Sequence, residues 1–120
     1  MTDMASLAVD GIDVTSRPDI DIAKFFRGLA DPTRLRIVAL LLVAGEMSVG
    51  DLVEAVGALQ GRVSSHLACL RHCGLVADRK EGRNVYYLVP DARVAEFLPV
   101  ALSMIGDNAA HIASCHRIEG

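Results

Sequence analysis

The chain has 120 residues, 52% of them apolar and 4% aromatic, with no tryptophan and a formal net charge of −3. That is one small domain with a modest core, a size that often gains stability by dimerising. The balance excludes a uniformly basic nucleic-acid binder, no apolar run approaches a membrane span, and three cysteines with no secretory leader in view predict a reduced, cytoplasmic protein rather than a disulfide scaffold.

The charge is unevenly spread. Residues 1–21 carry five acids and one base, whereas residues 60–93 carry six bases and three acids, a local +3. Local charge is what meets phosphate, so the second half of the chain is the candidate DNA-facing part.

Residues 1–18 show no hydrophobic period and predict a mobile arm. A first helix, capped by Asp19 or Asp21, then runs through Ile22, Phe25, Phe26 and Leu29. Asp31-Pro32 is a strong helix start, with Asp as N-cap and Pro at the first helical position. The helix it opens, over 32–43, is apolar nearly all round and is expected to be the central core helix, ended by Gly45. Ser48 and Asp51 form a capping box for a short helix over 49–56.

A turn at Gly57 leads into residues 59–76, the stretch the rest of the chain serves. Val63, Leu67 and Leu70 fall on one helical face, and Gly74 is placed to end the helix. The other face presents Gln60, Arg62, Ser64, Ser65 and His66, groups able to reach base edges or phosphates in a major groove. His66 has a second reading, as a histidine packed at the helix–core boundary. A short helix, a glycine-bearing turn and a second helix with a polar start make a helix-turn-helix. Cys69 and Cys73, four apart, point the same way, so one helix holds a DNA-reading end and two thiols.

Beyond Gly74 the period becomes two. Residues 75–79 and 84–89 flank a glycine tip as a β-hairpin, and Arg79, Lys80 and Arg83 make that tip a basic wing suited to DNA backbone or minor groove. Asp91 is expected to cap a last apolar helix through Val94, Leu98, Leu102 and Ile105, kinked or split at Pro99. Too little protein remains to cover this helix, which predicts a homodimer interface. The tail at 107–120 is rich in ligand types: Asp107, His111, Cys115, His116 and Glu119.

Three motifs in order resemble the ArsR/SmtB winged-helix metal-sensing repressors: the segment 29–37, then Val63-Ser64-Ser65-His66-Leu67 with Leu70-Arg71, then Gly74-Leu75-Val76 and Glu81-Gly82-Arg83 with Val85-Tyr86-Tyr87. The likeness covers residues 20–105. It implies a mainly α fold with a small β-hairpin, a winged helix-turn-helix that dimerises, binds double-stranded operator DNA and leaves it when a metal inducer binds. The pair Cys69 and Cys73 resembles that of the CmtR-type cadmium/lead sensors, and the resemblance assigns the third thiolate to Cys115. The arsenic-type Cys-x-Cys pair is absent, since that segment reads Glu46-Met47-Ser48-Val49.

Thiolates are soft donors that select soft ions. The expected inducer is Cd(II) or Pb(II), with Hg(II) close behind. As(III) also suits three thiolates, and Zn(II) would want a fourth ligand, from His111 or His116. A regulator whose thiols sense oxidation is the alternative, disfavoured because an i, i+4 helical disulfide distorts the helix. No nucleophile–base order, phosphate-cradling loop or carboxylate pair marks an enzyme.

Overall fold

In a computed structural model, residues 18–115 are described; the predicted arm over 1–18, except Pro18, and His116 and Glu119 of the tail lie outside the described residues. Six helices and three strands follow in the order α1 (Pro18–Leu29), α2 (Pro32–Ala44), β1 (Met47–Ser48), α3 (Val49–Val56), α4 (Gln60–His72), β2 (Ala77–Glu81), β3 (Asn84–Leu88), α5 (Arg93–Asp107) and α6 (Ala109–Ala113).

Local chemistry explains most boundaries. Asp31 caps α2, its Oδ1 accepting from the N–H groups of Thr33 at 2.8 Å and Arg34 at 3.1 Å. Ser48 Oγ accepts from Asp51 N–H at 3.2 Å and so starts α3. Gly74 follows α4 at φ 77°, where its N–H donates to Arg71 O and the N–H of Leu75 reaches Leu70 O. Those two bonds satisfy carbonyls that the helix end leaves free, and only glycine takes that φ cheaply.

The first helix begins earlier than its periodicity predicts. Pro18 opens it, and Asp19 and Asp21 lie inside its first turn, where acids favour the helix dipole, rather than at the cap. Asp91 sits one place before Ala92, the N-cap of α5, rather than at the cap, yet its side chain still accepts the N–H of Arg93 at 2.9 Å.

The expectation for Pro99 fails in part. A single helix, Arg93–Asp107, runs through it unsplit. Pro99 and Ala95 are both exposed, so the carbonyl that loses its partner faces water. The break comes at Asn108 instead, whose Nδ2 donates to Met104 O at 2.9 Å. The start of the expected tail is therefore helical over Ala109–Ala113.

The hairpin is one side of a three-stranded antiparallel sheet ordered β1-β3-β2. Ala77 to Glu81 pair with Leu88 to Asn84, and the two-residue β1, invisible to periodicity, pairs Met47 with Tyr87 and Ser48 with Tyr86. The wing is thereby anchored at the start of α3.

The core is formed by Ile37, Val38 and Leu41 of α2, Leu52 of α3, and Val63, Leu67 and Leu70 of α4, closed by Leu29, Leu75, Val76 and Val94. Complete burial of such a side chain is worth about 1.5–3 kcal/mol, so α4 is held on one face by three anchors. Its other face is left to solvent. The helix α2 is less enclosed than its composition predicts, with Val43 90% exposed at its end. No helix among the described residues is long and apolar enough to cross a membrane.

Candidate functional site

Burial of Val63, Leu67 and Leu70 dictates what α4 shows. Gln60, Arg62, Ser64 and Ser65 are all exposed at its N-terminal half. Arg62 has no ion-pair partner among the described residues. These four form one polar surface of the kind that reaches into a major groove.

His66 does not join them. Its side chain is only 12% exposed and turns inward to the start of α2, with Nε2 4.0 Å from Asp31 Oδ1 and Nδ1 3.3 Å from Arg34 Nη1. The packed reading describes its position in this structure. It lies three and four residues along α4 from the buried Val63 and Leu70, so core packing carries it inward.

Arg79 is clamped by Glu46 through Nη2 at 2.6 Å and Nε at 3.2 Å, bonds Glu81 at 2.9 Å, and lies 5.0 Å over the Tyr86 ring. Two carboxylates share its charge; nothing in local spacing announces Glu46, which is 33 positions away. Lys80 and Arg83 stay exposed without an ion pair among the described residues. At the far end of α4, Arg71 pairs with Asp78 of β2 at 3.1 Å, fixing helix to wing.

The thiols of Cys69 and Cys73 are free and half-buried, four residues apart at the C-terminal end of α4. Burial pushes the Cys73 thiol up, the neighbouring Cys69 adds to the rise by charge and hydrogen bond, and Arg34 opposes it. Cys73 also donates weakly to the carbonyl of Lys24 at 4.0 Å. The pair borders an open cavity of about 370 Å³ between α1 and α4, lined also by Lys24, Arg27, Gly28 and Arg34. This wall from α1 was missed in the sequence. An unexplained glycine inside a helix was its one available signal.

Cys115 is exposed at the end of α6, and His111 is exposed within it. Among the described residues no three metal-ligating side chains gather in one chain. The fold brings Cys69 and Cys73 together and leaves Cys115 and His111 apart from them, while His116 lies outside the described residues. In donor chemistry the pair fits a soft ion, because both groups become thiolates on the same helical face.

Residues 31–78 match the family described as "Bacterial regulatory protein, arsR family". The chain is 46% identical over 98 residues to the "Probable mercury resistance operon repressor" of Streptomyces lividans, covering 82% of this chain and 78% of that one. It is 46% identical over 77 residues to the HTH-type transcriptional regulator CmtR of Mycobacterium tuberculosis, a match spanning 64% of each, less than two thirds of that relative's length. Among solved structures, the homodimeric winged helix-turn-helix DNA-binding domain Mb0332 of Mycobacterium bovis superposes with a TM-score of 0.67 at 28% identity, covering 93% of this chain and 100% of that one. The chain belongs to the ArsR family of bacterial winged helix-turn-helix transcriptional regulators.

Proposed function

We propose that this chain is a metal-responsive repressor. As a homodimer it holds double-stranded operator DNA in the metal-free state and is released when a soft ion is captured by Cys69 and Cys73. The observation that carries the reading is that α4 bears exposed base-facing groups at one end and a paired-thiol wall at the other. A dimer of such domains reads two half-sites about 34–36 Å apart, so a small tilt of each α4 changes the fit of both.

Gln60, Arg62, Ser64 and Ser65 contact bases or nearby phosphates, with Lys80 and Arg83 on the flanking backbone. Cys69 and Cys73 hold the ion, and Cys115 supplies a third thiolate from the tail of either subunit; His111 and His116 are reserve donors. The thiol protons leave as the ion is captured, so its affinity rises with pH. Cd(II), Pb(II) and Hg(II) are the inducers to test first. The mercury-resistance name of the Streptomyces relative supports Hg(II) among them. As(III) and Zn(II) come behind, since the first lacks its usual cysteine pair here and the second wants a fourth ligand.

The test is operator affinity, on a duplex selected from a random library, with and without each ion. The expected loss on metal binding is about 5–150-fold, the usual range for coupled sites. Cys69→Ser should keep DNA binding and lose the response. Bound metal with unchanged operator affinity overturns the reading. Release by an oxidant in chelator-treated protein, where metals have no effect, favours a thiol-redox regulator instead.

A further inference from the structure

Gly28 is buried one residue before the end of α1. The glycines that the backbone requires at positive φ are Gly45, Gly57, Gly74 and Gly82, and Gly28 is not among them. Inside a helix a glycine costs about 0.5–1 kcal/mol relative to alanine, so its presence here needs another cause. A Cβ built at position 28 would stand 2.9 Å from Cys73 Sγ and 3.5 Å from Cys73 Cβ. The first distance is closer than real Cβ atoms come to a neighbour; the second is ordinary contact.

We propose that Gly28 is the positioning residue of the thiol site: its missing side chain is the space in which the Cys73 sulfur sits beside Cys69. Any side chain there turns the sulfur away from its partner or pushes α1 off α4. The Cys73 sulfur already meets the α1 backbone at Lys24 O, so rotation towards that wall gives no relief. Gly28 also lines the cavity that the two thiols border. This inference rests on the reading of Cys69 and Cys73 as metal ligands, and it adds a wall from another helix to that site.

The test compares reduced full-length wild type and Gly28→Ala. Cd(II) binding is followed by the sulfur-to-metal charge-transfer band against a competing chelator. Cys73 alkylation and operator affinity are measured without metal. The expected result for Gly28→Ala is a Cd(II) affinity about 10–100-fold lower, the usual effect of removing a support behind a ligand. Cys73 alkylation should be faster, and metal-free operator affinity should hold within about twofold. Wild-type Cd(II) affinity and alkylation rate in Gly28→Ala overturn the proposal and leave the metal reading standing. A wild type with no charge-transfer band overturns both. Should Gly28→Ala fail to fold, the double variant Gly28→Ala/Cys73→Ala must recover folding, because it removes only the sulfur that clashes; failure to recover also overturns the proposal.

Discussion

Arg34 Nη1 lies 3.3 Å from Nδ1 of His66, joining the start of α2 to the middle of the DNA-reading helix. A guanidinium only donates, so any hydrogen bond in this contact is accepted by an Nδ1 lone pair. The same guanidinium gives Nε to Gly28 O at 2.7 Å and Nη2 to Arg27 O at 3.3 Å, satisfying carbonyls at the end of α1. One side chain thus ties three helices and lines the thiol cavity. Arg34→Gln should destabilise the protein by about 1–3 kcal/mol, the cost of losing hydrogen bonds to a charged group, and lower metal-free operator affinity. Urea unfolding checks the first and fluorescence anisotropy the second. A wild-type urea midpoint would show that this link holds nothing.

Asp31 predicts a response to acid. The N–H of Arg34 is the main cause holding its carboxyl below the usual range; burial opposes this, and the Thr33 N–H and the charges of His66 and Arg34 add to it. A depressed folded value means the unfolded state binds the proton more readily. The contribution is therefore complete above about pH 4 and is lost as pH falls through the lower folded value. Asp31→Ala should cost about 0.5–2 kcal/mol at neutral pH by loss of the cap. Asp31→Asn should keep most of the cap and remove this part of the acid dependence. Denaturation midpoints at pH 7 and pH 3 for the three proteins check both. An Asn variant with the wild-type loss between those pH values would assign the dependence to other carboxylates.

Much of this fold is legible along the chain because its signals are local. Asp31-Pro32, Ser48 with Asp51, and Gly74 each act within a few residues through a cap or a left-handed turn, and the spacing of Val63, Leu67 and Leu70 orients α4. What was not legible depends on contacts across the fold. The pairing of β1 is too short to show a period. The clamp of Glu46 on Arg79 and the turn of His66 towards Asp31 arise only once helices and strands are packed. The place of Gly28 beneath Cys73 is of the same kind: a helix contact between residues 45 positions apart in sequence, with one glycine as its trace.

The wing cations divide by partner rather than by type. Arg79 shares its charge with Glu46 and Glu81, and it holds the Glu46 carboxyl below its ordinary range. Lys80 and Arg83 are exposed without such partners among the described residues. Each phosphate contact contributes about −0.9 to the slope of log affinity against log salt. Lys80→Ala and Arg83→Ala should each flatten that slope by about 1, whereas Arg79→Ala should leave it nearly unchanged. Operator titrations over a range of salt concentrations measure all three. A full unit lost in Arg79→Ala would mean that DNA displaces its carboxylates.

The apolar stripe of α5 outruns the subunit that it serves. Val94 is buried and Leu98 half-buried against the core, but four and seven residues further on the same face, at Leu102 and Ile105, the cover ends. Ile105 is 47% exposed, and Met104 and Leu102 beside it are 63% and 65% exposed. Towards the start of the helix, Phe97 meets Phe26 of α1 with ring centroids 6.0 Å apart, and Phe26 remains half exposed. An apolar surface continuous over two helices is the mark of an interface rather than of scattered surface residues. In a two-fold dimer each position on that surface occurs twice, so one substitution is felt twice. Ile105→Glu should bury two carboxylates where two isoleucines would pack. It should give a monomer at concentrations where the wild type sediments as a dimer, with operator affinity falling because one subunit reads only one half-site. Since the core of each subunit lies away from position 105, the helical circular dichroism signal should be retained. A variant that stays dimeric in sedimentation would move the interface elsewhere.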